Sequence, residues 1–282
     1  MPITIAHLGP TGTYAEAAAM VYADQLQQRR QTSVTLEPYP SIAKTLQSLA
    51  AGNVDYAIVP VENSIEGSVS ITLDTLWQLD NLQIQQAIVL PITHALLSHG
   101  ENLATIRAVY SHPQALAQCQ IWLETNLHHP SLIPTSSTTE ALRHLDDRTA
   151  AAISSQRAAQ LYGVPVLACP INDYPDNCTR FWAVSQQAST HGSHTSLAFS
   201  LPANLPGALV KALQAFAHLD INLSKIESRP TKRSLGDYLF FIDLEGSLST
   251  PSVQSALQEL ATCTETLKIF GSYSILTVTA LP

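Results

Sequence analysis

The fold of the first 185 residues is constrained most strongly by a repeated order of strand-like segment, small polar turn and helix-like segment. Residues 3–8 are typical of a strand, and residues 9–13 form a turn into an alanine-rich helix that starts at Tyr14. Residues 55–60 are a further strand of the buried type, followed at once by polar residues. This order predicts a mostly parallel sheet with helices on both faces.

A second set of strand–helix units runs from about Gln83 to Leu167. Residues 106–110 are strand-like, and the helix after them opens with a serine cap and a proline in its first turn. The sequence Ser-Thr-Thr-Glu at residues 137–140 fits a capping box. These units predict two α/β lobes with a cleft between them, and residues 181–185 are expected to return the chain to the first lobe.

The pattern changes after residue 185. Residues 186–194 are small and polar, which is typical of a linker. Residues 195–282 follow the order β-α-β-β-α-β, which predicts a ferredoxin-like α+β module. The chain therefore divides into a two-lobed domain at residues 1–185, a linker at 186–194 and a second domain at 195–282.

Composition excludes several classes of function. The formal net charge of -8 argues against a nucleic-acid partner, because a phosphate backbone requires basic stripes. No apolar run is long enough to span a bilayer, and the N-terminus lacks the features of a secretory signal, so a cytoplasmic protein is expected. The four cysteines lie far apart and the histidines show no metal-ligand spacing, which predicts reduced thiols and no metal site.

The junctions between strands and helices indicate a binding site. Small polar residues occupy several of them, among them Asn63, Ser64 and Ser111. In a two-lobed α/β protein, ligands bind beyond the carboxyl ends of the strands, where helix N-termini favour anions. Since Lys44 is the only lysine before residue 190, the predicted site binds a small anion without a lysine cluster. The turn at residues 9–13 matches neither nucleotide-binding glycine pattern.

Motifs spread along the chain, in order, resemble those of one enzyme family. They are Gly-Pro-x-Gly-Thr at 9–13, Val-Glu-Asn-Ser-x-x-Gly at 61–67, Ser-His-Pro-Gln-Ala-Leu at 111–116, Asn-Cys-Thr-Arg-Phe at 177–181, Pro-Gly-Ala-Leu at 206–209 and Leu-Ser-Lys-Ile-Glu-Ser-Arg-Pro at 223–230. The chain resembles a prephenate dehydratase that carries an ACT regulatory module. The resemblance covers essentially the whole chain and implies a two-lobed, periplasmic-binding-protein-like catalytic domain followed by a ferredoxin-like ACT domain.

The resemblance also implies an activity and a site. The family converts prephenate to phenylpyruvate with loss of water and carbon dioxide, and requires no cofactor or metal. By this resemblance Thr179 donates to the departing hydroxyl, and Arg180 pairs with a substrate carboxylate. The implied catalytic residues are Thr179, Asn63, Gln114 and Glu62, and the implied substrate-binding residues are Thr11, Ser64, Ser111, Arg180 and Phe181.

The second domain is expected to regulate the first. In related dehydratases, two segments of paired ACT domains enclose the inhibitor L-phenylalanine, which implies a homo-oligomer, either a dimer or a tetramer. A truncation near Gly192 is expected to leave an active enzyme that no longer responds to the effector. The corresponding effector residues here are Asn204, Leu205, Pro206, Gly207, Ala208, Leu209, Glu227, Ser228, Arg229 and Pro230.

The same sequence features fit two other functions. An arogenate dehydratase shares the same motifs, and a non-catalytic protein that binds a small anion shares the two-lobed fold. Individual residues also have structural interpretations. Glu62 and Asn63 fit a helix cap, Arg180 fits a structural ion pair, and His112 fits the first turn of a helix.

Overall fold

The computed structural model describes residues 2–279. Its helices are α1 (Tyr14–Arg30), α2 (Ile42–Ala50), α3 (Ser70–Gln78), α4 (Pro113–Ala117), α5 (Gln120–Asn126), α6 (Gln156–Tyr162), α7 (Ala208–Ala217) and α8 (Pro251–Cys263), with short 3-10 helices at Leu103–Thr105 and Glu140–His144. Its strands are β1 (Ile3–Leu8), β2 (Val34–Tyr39), β3 (Tyr56–Asn63), β4 (Gly67–Ser68), β5 (Gln83–Pro91), β6 (Ala95–Leu97), β7 (Ala108–Ser111), β8 (Ser131–Pro134), β9 (Ala150–Ser154), β10 (Val166–Ala168), β11 (Cys178–Ser185), β12 (His194–Ser200), β13 (Leu223–Pro230), β14 (Tyr238–Glu245) and β15 (Thr266–Thr277). Within this range, no helix is both long enough and apolar enough to cross a membrane.

The first lobe is a sheet in the order β2-β1-β3-β11-β5 with helices on both faces. Strands β1, β2 and β3 are parallel, and β11 returns antiparallel between β3 and β5. Helix α1 packs on one face, and α2 and α3 pack on the other. The Ser41 hydroxyl accepts from the Lys44 N–H at 3.2 Å, so Ser41 caps α2 as the sequence predicts.

The second lobe is a five-stranded sheet in the order β10-β6-β9-β7-β8. The chain enters it between β5 and β6 and leaves it between β10 and β11. The predicted two-lobed fold is confirmed, although β5 belongs to the first lobe because it pairs with β11. Ser137 Oγ accepts from the Glu140 N–H at 3.0 Å, but the carboxylate of Glu140 accepts from the N–H of Ser136, so the capping box is incomplete and only a 3-10 helix follows.

The second domain has the predicted ferredoxin-like order β12-α7-β13-β14-α8-β15. Its four strands form an antiparallel sheet in the order β13-β14-β12-β15, and α7 and α8 cover one face. Phe199, Phe216 and Leu260 are buried in the core between the helices and the sheet. The helical spacing of leucine and phenylalanine therefore marks core positions.

Strand β15 joins the two domains into one ten-stranded sheet. Its residues from Thr266 to Tyr273 pair with β12, and its residues from Ser274 to Thr277 continue in parallel beside β5 of the first lobe. The segment 186–194 runs beside this strand. The Ser189 hydroxyl donates to the carbonyl of Ser272 at 2.6 Å, and the Ser193 N–H donates to the carbonyl of Tyr273 at 3.0 Å. The linker is thus held against β15.

The face of the second sheet that α7 and α8 leave open packs on the first lobe. Phe241 and Phe270 stack with ring centroids 6.1 Å apart, and Trp77 of the first lobe meets Phe241 edge-on at 6.5 Å. Both phenylalanines belong to the same core cluster as Leu73 and Trp182 of the first lobe. The two domains therefore share one hydrophobic core.

The shared strand changes the expectation for a truncation near Gly192. A fragment that ends at Gln187 loses the strand beside β5 and exposes the apolar surface under Phe241 and Phe270. We predict that it is less stable than the full chain by at least about 3 kcal/mol, the lower end for losing one buried phenylalanine. This corresponds to a melting temperature lower by roughly 6–12 °C. Thermal unfolding of both proteins tests this, and equal melting temperatures would contradict a shared core.

Candidate active site

A cleft between the two lobes forms a cavity of about 870 Å³. This volume is in the range of sites that enclose small organic ligands. The first lobe contributes the strand ends of β1, β2, β3 and β11, and the second lobe contributes α4, α6 and the segment before the second 3-10 helix. Polar lining residues include Asn63, Thr179, His94, His112, Gln114, Gln118, Ser136, Ser137, Thr138, Thr139, Glu140 and Arg143.

The pairing of β3 with β11 decides which predicted residues reach the cleft. Thr179 lies opposite Asn63, and Arg180 lies opposite Glu62. Because successive side chains of a strand point to opposite faces, Asn63 and Thr179 share one face, and Glu62 and Arg180 share the other. Asn63, Thr179 and Phe181 line the cavity, whereas Glu62 and Arg180 do not.

Asn63 is buried, and its amide is oriented by backbone groups on both sides. Its Oδ1 accepts from the backbone N–H groups of Ile65 at 3.0 Å and Glu66 at 3.2 Å. Its Nδ2 therefore faces the carbonyl of Cys178 at 3.2 Å and the hydroxyl of Thr179 at 3.0 Å. Since an amide nitrogen only donates, Thr179 Oγ1 accepts this hydrogen bond, and its own O–H remains available to a ligand.

Two further amides extend this arrangement into a ring. Asn177 Oδ1 accepts from Asn63 Nδ2 at 2.8 Å, and Asn177 Nδ2 donates to Gln118 Oε1 at 2.8 Å. Gln118 Nε2 donates back to Asn63 Oδ1 at 3.2 Å and also to the carboxylate of Glu66 at 3.2 Å. The ring joins both lobes beside Thr179, and all three amides are buried.

Neither Asn177 nor Gln118 was among the predicted site residues. Gln118 follows Gln114 by four residues, so the two glutamines lie on the same helical face. That spacing is the signal that could have identified it. Gln114 lines the cavity near the start of α4, but Gln118 makes the contact to Asn63.

His112 caps α4, and the predicted serine cap at Ser111 is wrong because the Ser111 hydroxyl donates to the carbonyl of Ile153 instead. The Nδ1 of His112 accepts from the backbone N–H of Gln114 at 3.3 Å, and its ring also lines the cavity. Burial lowers the pKa of His112, and the charge of Glu66 acts in the opposite direction. The neutral ring that this favours keeps Nδ1 available as an acceptor.

Three predicted binding residues, Thr11, Ser64 and Ser111, are not among the residues that line the cavity. Ser111 is buried, and its hydroxyl donates to the carbonyl of Ile153 at 2.7 Å. Ser64 Oγ accepts from the Cys178 N–H at 3.0 Å. The carbonyl of Thr11 accepts from the Tyr162 hydroxyl at 3.0 Å. In this structure these residues hold wall segments together.

Glu62 and Arg180 belong to an ionic cluster at the domain interface. Arg180 forms ion pairs with Glu62 and, at 3.0 Å, with Asp243 of β14. Lys225 Nζ of β13 lies 3.7 Å from Glu62, which adds a second cation to the cluster. Asp243 is only 3% exposed; burial raises its pKa and the charge of Arg180 acts to lower it, so moving Arg180 away would leave a buried carboxyl group without its ion-pair partner. In this structure Arg180 forms structural ion pairs at the domain interface and does not line the cleft.

The cleft can therefore bind a small anion through other groups. Arg143 provides a cationic side chain on the second lobe, and the hydroxyl-bearing residues 136–139 line the same cavity. The carboxylate of Glu140 is occupied by the N–H of Ser136. No group of three or more metal-binding side chains occurs within residues 2–279. The arrangement suits an anionic substrate with one hydroxyl group that Thr179 can contact.

The two predicted effector segments lie on the second domain, away from the cleft. Gly207 precedes α7 with φ at +81°, a conformation that favours glycine, and no side chain caps this helix. Ser228 is exposed on β13, the edge strand of the sheet. Arg229 of the same strand forms two hydrogen bonds, each 3.2 Å, with Asp74 of α3 in the first lobe.

Comparisons with known proteins agree with this organisation. A sequence profile described as prephenate dehydratase matches residues 5–189, and a profile of the ACT domain matches residues 195–262. A bifunctional chorismate mutase/prephenate dehydratase from Aquifex aeolicus is 40% identical over 274 residues, which are 96% of this chain and 73% of that protein.

Two solved structures share the whole architecture. A prephenate dehydratase from Arthrobacter aurescens in complex with L-Phe has a TM-score of 0.86 at 36% identity, covering 96% of this chain and 90% of that chain. A structure described as a novel type of quorum quenching acylase has a TM-score of 0.80 at 29% identity, covering 97% and 98%. Because this fold occurs with more than one activity, the residues of the cleft have to decide the chemistry.

Proposed function

The chain belongs to the prephenate dehydratase family, and from this membership we propose that it converts prephenate to phenylpyruvate in the cleft between the two lobes. The reaction removes the ring hydroxyl as water and one carboxylate as carbon dioxide. The electron pair of the broken carbon–carbon bond completes the aromatic ring, and the hydroxyl leaves as water with a proton that comes from solvent. Because aromatisation drives this step, the site has to orient the ring and assist the leaving group.

The contact between Asn63 and Thr179 carries this proposal. Asn63 occupies the oxygen of Thr179 as an acceptor, so the threonine proton is left for the leaving hydroxyl of the substrate. A threonine is a poor general acid, since efficient acids have pKa values near the working pH. We therefore assign Thr179 as a positioned donor that stabilises the negative charge developing on the leaving oxygen.

The remaining groups of the substrate fit the other walls of the cleft. Phe181 is a buried wall residue on the first lobe and provides an apolar surface for the ring. Arg143 replaces Arg180 as the cation assigned to a substrate carboxylate. Gln114 faces the same cavity from the second lobe and supplies a further donor. In this proposal Asn63 and Gln118 position Thr179 and join the two lobes around the substrate.

We predict that Thr179→Ala lowers kcat by about 100-fold or more, within the range for losing one hydrogen-bond donor to a developing negative charge, because the donor to the leaving hydroxyl is lost. Thr179→Ser keeps the hydroxyl and is expected to retain much of the activity. The measurement is steady-state formation of phenylpyruvate from prephenate, with circular dichroism to verify folding.

Thr125→Ala is the matched control, since the Thr125 hydroxyl is exposed and only donates within α5. It should turn over like the wild type. Wild-type rates for a folded Thr179→Ala protein would contradict the assignment of Thr179. Arogenate is assayed beside prephenate in the same experiment, and a higher kcat/KM for arogenate would move the assignment to arogenate dehydratase. Absence of turnover on both would favour the binding-protein alternative.

For regulation, we propose that L-phenylalanine binds where the start of α7 meets β13 of a partner chain and inhibits the reaction. The uncapped first turn of α7 after Gly207 presents backbone N–H groups that suit the carboxylate of an amino acid. Apolar side chains around this region are exposed, including Leu205 at 64%, Val210 at 61% and Ile226 at 49%. An exposed apolar patch beside an edge strand supports pairing of two ACT domains in a homodimer.

We further propose that the effector strand signals to the first lobe through its ion pairs. Arg229 and Lys232 both contact Asp74 on α3, the latter at 2.7 Å. Burial acts to raise the pKa of Asp74, but the hydrogen bonds from Arg229 and Lys232 prevail and lower it. Asp74 is therefore held as a carboxylate between the domains, and a shift of β13 on binding L-phenylalanine is transmitted to α3.

We predict that Asp74→Asn weakens inhibition by L-phenylalanine about 5-fold or more, the lower end of ordinary allosteric coupling. Binding of L-phenylalanine itself should change less, because Asp74 lies outside the effector segments. Calorimetric titration measures binding, and inhibition curves measure coupling. Asp80→Asn is the control: this aspartate also pairs across the interface, with Lys268, but is 87% exposed and contributes little. Wild-type inhibition of the Asp74→Asn protein would overturn the proposed route.

A further inference from the structure

His94 lies at the first crossing between the lobes, immediately before β6, and does not contact the substrate in the proposed mechanism. It is 3% exposed, yet its ring forms part of the cavity lining. Its Nε2 lies 3.1 Å from Oε1 of Gln118, the amide that reaches across to Asn63. The backbone N–H of His94 also donates at 2.7 Å to Oδ1 of Asn172, which lies on the second crossing between the lobes. This hydrogen bond fixes the position of His94.

Which nitrogen of His94 carries the proton follows from the neighbouring amides, whose donor and acceptor atoms are fixed by other hydrogen bonds. Backbone N–H groups orient Asn63, and the carboxylate of Glu66 orients Gln118 with its Nε2 as the donor. Gln118 Oε1 is therefore an acceptor, and it also accepts from Asn177. His94 Nε2 must then carry a proton. The tautomer of the histidine is thus determined by the amide ring.

The other ring nitrogen indicates that the histidine stays neutral. Among residues 2–279, His94 Nδ1 is buried and has no hydrogen-bond partner. A proton on this atom would place a charged donor without an acceptor in a buried wall, which is costly. Burial accordingly lowers the pKa of His94, and the hydrogen bond with Gln118 acts in the opposite direction.

From this geometry we infer that His94 is a positioning residue for the dehydration: its Nε2–H fixes the amide of Gln118, which supports Asn63 and so the direction of the Thr179 hydroxyl. The inference rests on the proposed function. Each step of the path is a hydrogen bond of 3.0–3.2 Å, from His94 to Gln118, from Gln118 to Asn63, and from Asn63 to Thr179. Without the donor, Gln118 Oε1 keeps only its contact with Asn177, and the amide is less constrained.

Two substitutions of His94 distinguish the effect of losing its hydrogen bond to Gln118 from the effect of losing the volume of its ring. In His94→Gln, the side-chain amide nitrogen can occupy the place of Nε2 and donate to Gln118. In His94→Asn, the shorter amide reaches only the place of Nδ1. We expect His94→Gln to retain kcat within about 3-fold and His94→Asn to lose about 10-fold to 100-fold, the effect of a slightly misplaced reacting group. KM for prephenate should change little in both, because His94 acts through Thr179 and not through the carboxylates. His128→Asn, at an exposed histidine, is the control and should match the wild type.

The tautomer provides a test that does not depend on turnover. Nitrogen-15 NMR of the imidazole side chains in the full-length protein should report His94 as the neutral form protonated at Nε2. A proton at Nδ1, a charged ring at neutral pH, or equal kcat values for folded His94→Gln and His94→Asn would each overturn the inference. If the wild type failed to convert prephenate while the tautomer was as expected, the proposed function would fall and the geometry of His94 would stand.

Discussion

The pairing of β3 with β11 is the constraint on which the rest of the structure depends. Two adjacent residues, Thr179 and Arg180, point to opposite faces of the same strand. One face forms the wall of the cleft, and the other forms the contact with the ACT domain. A single strand thus holds the proposed donor to the substrate and the arginine that binds the regulatory domain. Any displacement of β11 acts on both.

The regulatory domain is attached by more than a linker. Strand β15 extends from the ACT sheet into the catalytic sheet, and a shared core lies beneath it. Two ion pairs, Arg180 with Asp243 and Arg229 with Asp74, help to orient the two domains at this apolar contact. Each joins a buried or half-buried carboxylate to a guanidinium, a pairing with specific geometry. A rigid connection of this kind can transmit a small shift of the ACT domain to the cleft, since packed interfaces move between discrete arrangements.

Much of the fold could be predicted from the sequence, because local patterns determine it. Strand–turn–helix alternation gave the two lobes, and the β-α-β-β-α-β order gave the ferredoxin-like domain. Both predictions are confirmed by the structure. The continuous sheet could not be anticipated, since the pairing of residues Ser274–Thr277 with β5 depends on how two domains dock and leaves no local signal.

The site could be predicted only in part. The motif around Thr179 located the right strand, but a motif does not state which way each side chain points. Alternation along β11 would have separated Thr179 from Arg180 if the pairing with β3 had been known. Gln118 follows Gln114 by four residues and Asn177 begins the run 177–181, but both were missed because a sequence pattern does not show which amides meet between the lobes. His94 was missed because a single histidine in a sequence does not show which group its ring contacts.

The central claim is that the cleft face of β11 holds the substrate while the opposite face holds the ACT domain. The most direct test is a crystal structure of the full chain with a non-reactive analogue of prephenate. The account predicts that the hydroxyl of the analogue lies within hydrogen-bond distance of Thr179 Oγ1, while Arg180 remains paired with Glu62 and Asp243. An analogue bound through Arg180 turned into the cleft, with no contact to Thr179, would contradict it.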